Sequence, residues 1–244
     1  VVLYPNQEIV IDVGRDTSVH AVENAQDNYD KKICLFSQKE LEQENPGKED
    51  IYSVGTLCEV RHIRRFDNFL RVKFRGIKRV KLNNWINGSL SDLAEVEILE
   101  SEKQDAVEEE ALIRMIADEL DRMQGQDRFV TKEIVMEISK GMGGEFLSDK
   151  AVQGLPLDIE RKQQYLETLG VNDRLMMLLQ DMAKEKKMSE VEQQINETVK
   201  ERIDQGQKDY YLREKMNVIR EELGDTVAQD EDAAKIRKRL AENP

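Results

Sequence analysis

The sequence predicts an α+β fold: a small β-rich subdomain, then an α-helical bundle, then one very long helix. Three observations carry this. Short apolar runs separated by turn residues fill the first hundred positions. A 3.6-residue apolar period takes over after them, and all nine Met residues fall in that second part. Finally, a 52-residue stretch from Asn172 to Leu223 holds no proline and one glycine.

Taken in order, Val1-Val2-Leu3-Tyr4-Pro5 reads as a strand entered partway, without the basic region of a signal peptide. Strands are expected at 8–13, 31–37, 54–65, 68–75, 78–82 and 90–99, with Phe66-Asp67-Asn68 as a hairpin turn. One helix interrupts them at 16–28, with Asp16 as N-cap and Val19, Val22 and Ala25 along its inner face. Six short strands and one helix point to a small barrel or sandwich rather than βαβ units.

The helical part is punctuated by glycine. A helix over 105–123 places Val107, Leu112, Ile116, Leu120 and Met123 near one stripe. Helices follow at 131–140, 145–152 and 158–169, separated by Gly141, Gly154-Leu155-Pro156 and Gly170. The last helix takes Asn172 as N-cap and Gly224 as its stop, and at 1.5 Å per residue extends about 80 Å. Met188, Val191, Ile195, Val199, Ile203, Leu212, Met216, Ile219 and Leu223 recur along it as one apolar face, and Gly206 is a candidate bend. So long a helix has more apolar stripe than one small domain can cover. A further helix begins in the tail with Ile236 and Leu240, and the chain reads as truncated at both ends. The expected divisions are therefore 1–100, 101–171, 172–224 and 225–244.

Composition excludes much. The net charge of −13 argues against general affinity for nucleic acid or acidic membranes. No apolar run approaches the roughly 18 residues of a membrane span. Cys34 and Cys58 lie in apolar runs and read as buried free thiols of a reducing cytoplasm. Pro46-Gly47-Lys48 lacks the upstream glycine and following Ser or Thr of a phosphate loop. His20 and His62 have no metal-ligand spacing, and no Gly-x-Ser-x-Gly elbow occurs. No catalytic, metal-binding or nucleotide-binding residue is assigned, and no cofactor is expected within these residues.

Several stretches together resemble the amino-terminal region of Lon, the bacterial family of ATP-dependent serine proteases. They are Val2-Leu3-Tyr4-Pro5, Asp12-Val13-Gly14-Arg15-Asp16 with Ser18-Val19-x-Ala21-Val22-Glu23, and Pro46 to Thr56. Arg75-Gly76-Ile77-Lys78-Arg79-Val80 is similar to the family's EGxxRA strand motif, from which Phe74-Arg75 departs. Leu155-Pro156-Leu157, then Tyr210 to Met216 with Glu221-Glu222-Leu223-Gly224-Asp225, complete the resemblance. It implies a PUA-like β subdomain, a bundle and a neck helix. It also implies capture of unfolded, damaged or degron-bearing proteins, assembly as a homo-hexamer, delivery of substrate to an ATPase ring, and a part in protein quality control and stress response. ATP and Mg are implied only for the family's ATPase domain, which lies beyond the resembling region.

Four groups of candidate residues follow. Tyr4, Pro5, Ile9, Val10 and Ile11 form one possible apolar docking patch, because Ile9-Val10-Ile11 breaks strict alternation. Met176 and Met177 lie in a wide, adaptable apolar band, a kind that is more often bundle core than a binding surface. Tyr210, Tyr211, Leu212, Arg213, Glu214 and Met216 are the assembly candidates on the neck. Residues 61–81 carry nine Lys/Arg against the single Asp67, a net of +8, leaving −21 elsewhere. Their alternation gives a basic face of Arg71, Lys73, Arg75 and Arg79. That face keeps a second reading open: a free-standing binding or scaffolding protein for acidic protein partners or DNA.

Overall fold

Alternation of apolar and charged residues makes Leu70–Ile86 one uninterrupted strand, β4, and the rest of the sheet is arranged around it. The computed structural model describes residues 1–40, 43, 46–86, 88, 91–123 and 132–222. Along one side of β4 runs β3 (Val54–Arg65), from Val54 opposite Lys81 to Arg65 opposite Leu70. Along the other side, β1 (Glu8–Val13) pairs with its first half and β5 (Leu93–Leu99) with its second. β2 (Lys32–Leu35) extends the sheet beyond β3, and all these pairings are antiparallel. A single turn of 3₁₀-helix at Lys48–Asp50 precedes β3.

The expected strands 68–75 and 78–82 are thus one, and five strands are described rather than six. Gly76, at the supposed break, marks a close approach instead. A Cβ there would lie 2.2 Å from the Tyr4 carbonyl oxygen. The Asn6 N–H donates to Gly76 O, and the Gly76 N–H donates to Gln7 O, each at 2.9 Å. Glycine lets the Tyr4–Gln7 turn sit directly against β4.

Helix α1 (Asp16–Asn28) packs Val22 and Ala25 inward, with Val19 partly buried beside them. Asp16 does not cap it. Arg15 holds the N-cap position without a side-chain bond, and Asp16 lies inside the first turn, where its charge favours the positive end of the helix dipole. Under α1, Leu3, Val13, Cys58, Val60, Leu70, Val72 and Phe74 form one core.

The second core is shared between sheet and helices. Val2, Tyr4 and Val54 pack with Leu112, Ile116 and Leu120 of α2 (Ala106–Met123) and Ile134 of α3 (Lys132–Ser139). Leu147 and Val152 of α4 (Gly144–Gly154) and Tyr165 and Leu166 of α5 (Ile159–Glu167) join them. The first turns of α6 (Val171–Glu222) add Leu175, Leu178 and Met182. Of the expected α2 stripe, Val107 stands apart at 79% exposed, one turn above the packed residues. The chain divides into two compact units, Val1–Glu185 and Lys186–Pro244, so the change of period near residue 100 falls inside the first.

Helix ends follow local chemistry. Asp158 accepts from the Arg161 N–H at 2.6 Å and caps α5. Gly141, at φ +88°, takes the left-handed conformation after α3. Asn172 is not the N-cap of α6, which begins at Val171. The Gln104 side-chain oxygen accepts from the Asn172 and Asp173 N–H groups at 2.8 and 3.3 Å, while the Asn172 amide donates to Asp105 O and Glu108. The cap is therefore supplied by a distant segment. α6 continues through Gly206 without a break. The expected starts at Leu90 and Thr131, the end at Leu223-Gly224 and the tail helix with Ile236 and Leu240 lie outside the described residues.

Sheet and helices are joined by buried polar bonds. Arg79, 1% exposed, grips Asp149 of α4 with both terminal nitrogens, one at 2.9 Å, and its Nε donates to Leu166 O. Gln163 donates to Val54 O at 2.8 Å, and the Tyr4 hydroxyl to Lys162 O at 2.7 Å. Breaking such a pair strands a charge in the interior, so Arg79→Met is expected to destabilise the first unit by about 3–5 kcal/mol. Arg79→Met combined with Asp149→Leu removes both charges and is expected to recover most of that loss, as urea unfolding of the two variants would measure. Gly76→Ala is expected to cost about 1–3 kcal/mol through the clash with Tyr4, read as a lowered thermal midpoint.

Candidate interaction surfaces

The amino-terminal candidates separate by burial. Tyr4 is fully buried, its hydroxyl committed to Lys162 O, and Pro5 is buried beside it, so neither belongs to a surface patch. Burial also pushes the Tyr4 phenol well above its ordinary range. Their turn has to lie against Gly76, which draws both into the interior. Ile9 and Ile11 point toward the core beneath α1. Val10 alone opens outward, at 56% exposed, on the face it shares with Glu8 and Asp12.

The methionine pair divides the same way. Met177 packs against the helical core and accepts a weak contact from the Thr168 hydroxyl at 3.7 Å, whereas Met176 is 43% exposed. One helical position, 100° of rotation, separates a core residue from a surface one.

Along α6, every apolar residue named from Met188 to Ile219 is between 44% and 68% exposed, Tyr210, Tyr211, Leu212 and Met216 among them. Arg213 and Glu214 are exposed beside them. The expected single apolar face is two. Met188, Val191, Ile195, Val199, Ile203 and Tyr210 share one side of the helix, with Gly206 inside the same stripe. Leu212, Met216 and Ile219 share another, roughly a third of a turn away, because nine residues from Ile203 to Leu212 do not complete whole turns. Summing spacings without tracking phase across that gap merges the two.

The basic face is real in part. Arg71, Lys73 and Arg75 alternate outward from β4 against inward Leu70, Val72 and Phe74. Arg79 does not belong to that face. The β3–β4 register shifts at Ile77, so Gly76 stands opposite Cys58 and Arg79 opposite buried Thr56. Arg79 thereby turns to the inner side, where α4 and α5 supply Asp149 and Leu166 O. The outward cations are also largely matched. Arg71 donates to both Asp12 oxygens at 2.6 and 2.7 Å, Lys73 pairs with Glu8 at 2.7 Å, and Arg61 with Glu59 at 3.3 Å. The hydrogen bonds from Arg71 and Lys73 hold the Asp12 and Glu8 carboxyls below their ordinary range. Sequence reasoning summed the cations of 61–81 but not the acids that β1 lays alongside them.

One cluster went unread. At the β3–β4 hairpin, the Phe66 and Phe69 rings stack with centroids 4.7 Å apart, with the Arg64 and Arg71 guanidiniums 5.1 and 5.4 Å from the Phe66 ring. Two phenylalanines bracketing the Asp67-Asn68 turn were the available signal. Elsewhere the chemistry is quiet. Burial pushes the Cys34 thiol up to about 11, and Cys58 is fully buried, so neither is a ready nucleophile. Among the described residues no group of three or more His, Cys, Asp or Glu is placed to hold a metal, and no helix is long and apolar enough to cross a membrane.

Comparison with known proteins agrees with this architecture. Residues 1–184 match the family described as the ATP-dependent protease La (LON) substrate-binding domain. The chain is 32% identical over 239 residues to the Lon protease of Brevibacillus choshinensis, covering 98% of this chain and 31% of that protein. It is 32% identical over 240 residues to the Lon protease of Escherichia coli K12, covering 98% and 30%. The chain thus spans under a third of the length of these relatives. Among solved structures, the N-terminal domain of the Mycobacterium avium complex Lon protease shares the fold at a TM-score of 0.58 and 21% identity, covering 75% of this chain and 93% of that one. The fold shared with that domain, and a sequence match that spans residues 1–184, lead to one assignment: the chain belongs to the Lon protease family, within its amino-terminal substrate-binding region.

Proposed function

We propose that this chain is the non-catalytic substrate-recognition and assembly region of an ATP-dependent protease of the cytoplasm. It binds unfolded, damaged or degron-bearing proteins and passes them to an ATPase ring, where ATP and Mg would act. The match of residues 1–184 to a substrate-binding domain carries the reading. Val10 and Met176 support it as the exposed members of the two apolar candidate groups, since a receptor for many sequences needs apolar surface that tolerates them. The two stripes of α6 would serve assembly, each facing a different neighbour among the subunits of a homo-hexamer. No observation favours a free-standing DNA-binding role, because Glu8, Asp12 and Glu59 interrupt the basic face and Arg79 is absent from it.

The test is binding of the chain, without ATP, to a protein kept unfolded by reduction and carbamidomethylation, compared with its native form. Preference for the unfolded form is expected, and equal binding to both, or to neither, rejects direct capture. Val10→Asp with Met176→Asp is expected to weaken that binding about tenfold, with the thermal midpoint little changed, since both side chains are exposed. In the full-length protein, replacing Val191, Ile195 and Val199 together by Ser is expected to lower hexamer content in light scattering, while the first unit keeps its stability.

A further inference from the structure

We propose that the outer face of β1, β4 and β3 docks an extended acidic polypeptide segment carrying carboxylates at positions i and i+4 and an apolar residue between them. This rests on the substrate-recognition reading and names a class of segment it would select.

The register fixes what the face presents. Arg71, Lys73 and Arg75 run down its centre on β4. Beside them on β1 stand Asp12, Val10 and Glu8, directly opposite in that order. On β3, Arg64 lies opposite Arg71, His62 opposite Lys73, and Glu59 opposite Arg75, with Arg61 at the irregularity between Val60 and His62. Three acids thus stand among five Lys and Arg side chains, on a chain whose net charge is −13. The acids are committed to Lys73, Arg71 and Arg61. Arg64 and Arg75 are exposed and, among the described residues, neither forms a close ion pair, although Glu8 and Glu59 flank Arg75 and Glu8 feels its charge. Arg64 is instead braced over the Phe66 ring.

These two open guanidiniums sit on neighbouring strands, four residues apart along the sheet, which is about 14 Å at ordinary strand spacings. Exposed Val10 lies at the level midway along this span but on β1, one strand beyond Lys73, so a middle side chain reaches it by leaning across Lys73. An extended chain repeats same-side residues every ~6.8 Å, so residues i and i+4 span about the same 14 Å with i+2 between. Charge complementarity selects carboxylates for the two ends and burial selects an apolar side chain for the middle. Nucleic acid fits less well. Its phosphates form a dense, continuous row that would meet Glu8, Asp12 and Glu59 as well as the cations, and two open charges release few counterions.

The test uses fluorescence anisotropy at low salt on this chain, with three labelled nonapeptides: Glu-x-Leu-x-Glu, Ser-x-Leu-x-Ser and Lys-x-Leu-x-Lys. A 20-mer of single-stranded DNA and the carbamidomethylated unfolded protein are measured in parallel. The Glu peptide is expected to bind best. Arg64→Ala/Arg75→Ala is expected to weaken it at least about tenfold, and Arg64→Glu/Arg75→Glu to transfer preference to the Lys peptide. Circular dichroism melts establish that the variants are folded, and any that is not is replaced by Arg64→Gln/Arg75→Gln. Glu and Ser peptides binding alike, insensitivity to folded variants, or tighter and equally variant-sensitive DNA binding each overturns the proposal. If the unfolded protein binds while the Glu peptide shows no preference, this surface is wrong and the general reading stands. If the Glu peptide behaves as expected while the unfolded protein fails to bind, the surface stands and general capture fails.

Discussion

A guanidinium buried to 1% exposure has to be met by a carboxylate and by acceptors for its remaining donors, and Arg79 sets that requirement for the whole first unit. Asp149 answers from α4 and Leu166 O from α5, so the sheet and these two helices are tied into one packing arrangement. The carboxyl is pulled in opposite directions: burial raises its pKa, while Arg79 and then Arg174 favour the ion. Such a pair adds little net stability compared with apolar residues of the same shape. What it supplies is orientation. Tyr4 to Lys162 O and Gln163 to Val54 O fix the same interface from its other side, so that sheet and bundle share a core instead of forming separate ones.

The root of α6 is held by the same network. Arg174 is fully buried, and burial followed by repulsion from Arg79 lowers its pKa to about 10. Its donors reach Ser148, Ser101 and Thr168 O, while Gln104 caps the helix from the segment before α2. The first turns of α6 therefore belong to the first unit by polar bonds as well as by Leu175 and Leu178. Between Met182 and Met188 the helix exchanges buried apolar residues for exposed ones. One part of the helix completes a core, and the other exposes apolar side chains.

What the sequence made legible was whatever depended on local periodicity. Strand alternation located β1, β3 and the first half of β4, and glycine and proline punctuation located the helices to within a few residues. Asp158 was open to the same reading, because a cap that bonds three residues away is written locally. Asp16 and Asn172 failed for the converse reason. A side chain of the right type stood in the right place, but α1 starts without a side-chain cap and α6 receives its cap from Gln104, 68 residues earlier. Tyr4 and Arg79 failed likewise: each is polar or amphipathic at a position where local pattern implies surface, and each is buried by a partner more than 60 residues away. The match of Glu8 and Asp12 to Lys73 and Arg71 also needs strand register, which composition does not contain.

Gly76 connects these failures to the function proposed. It admits the Tyr4 turn against β4, and just beyond it the register irregularity at Ile77 turns Arg79 to the inner side of the sheet, toward α4 and α5. The basic residues of one strand therefore do two jobs, on opposite faces of the sheet. Before the glycine, Arg71, Lys73 and Arg75 face solvent and are tuned by acids from β1; after it, Arg79 is committed to the interior. Charge reversal should consequently have opposite consequences on the two sides. At Arg75 it changes what the surface attracts while the fold persists, because water screens the altered charge. At Arg79 it sets two carboxylates against each other in the core, and the interface that orients the root of α6 cannot close.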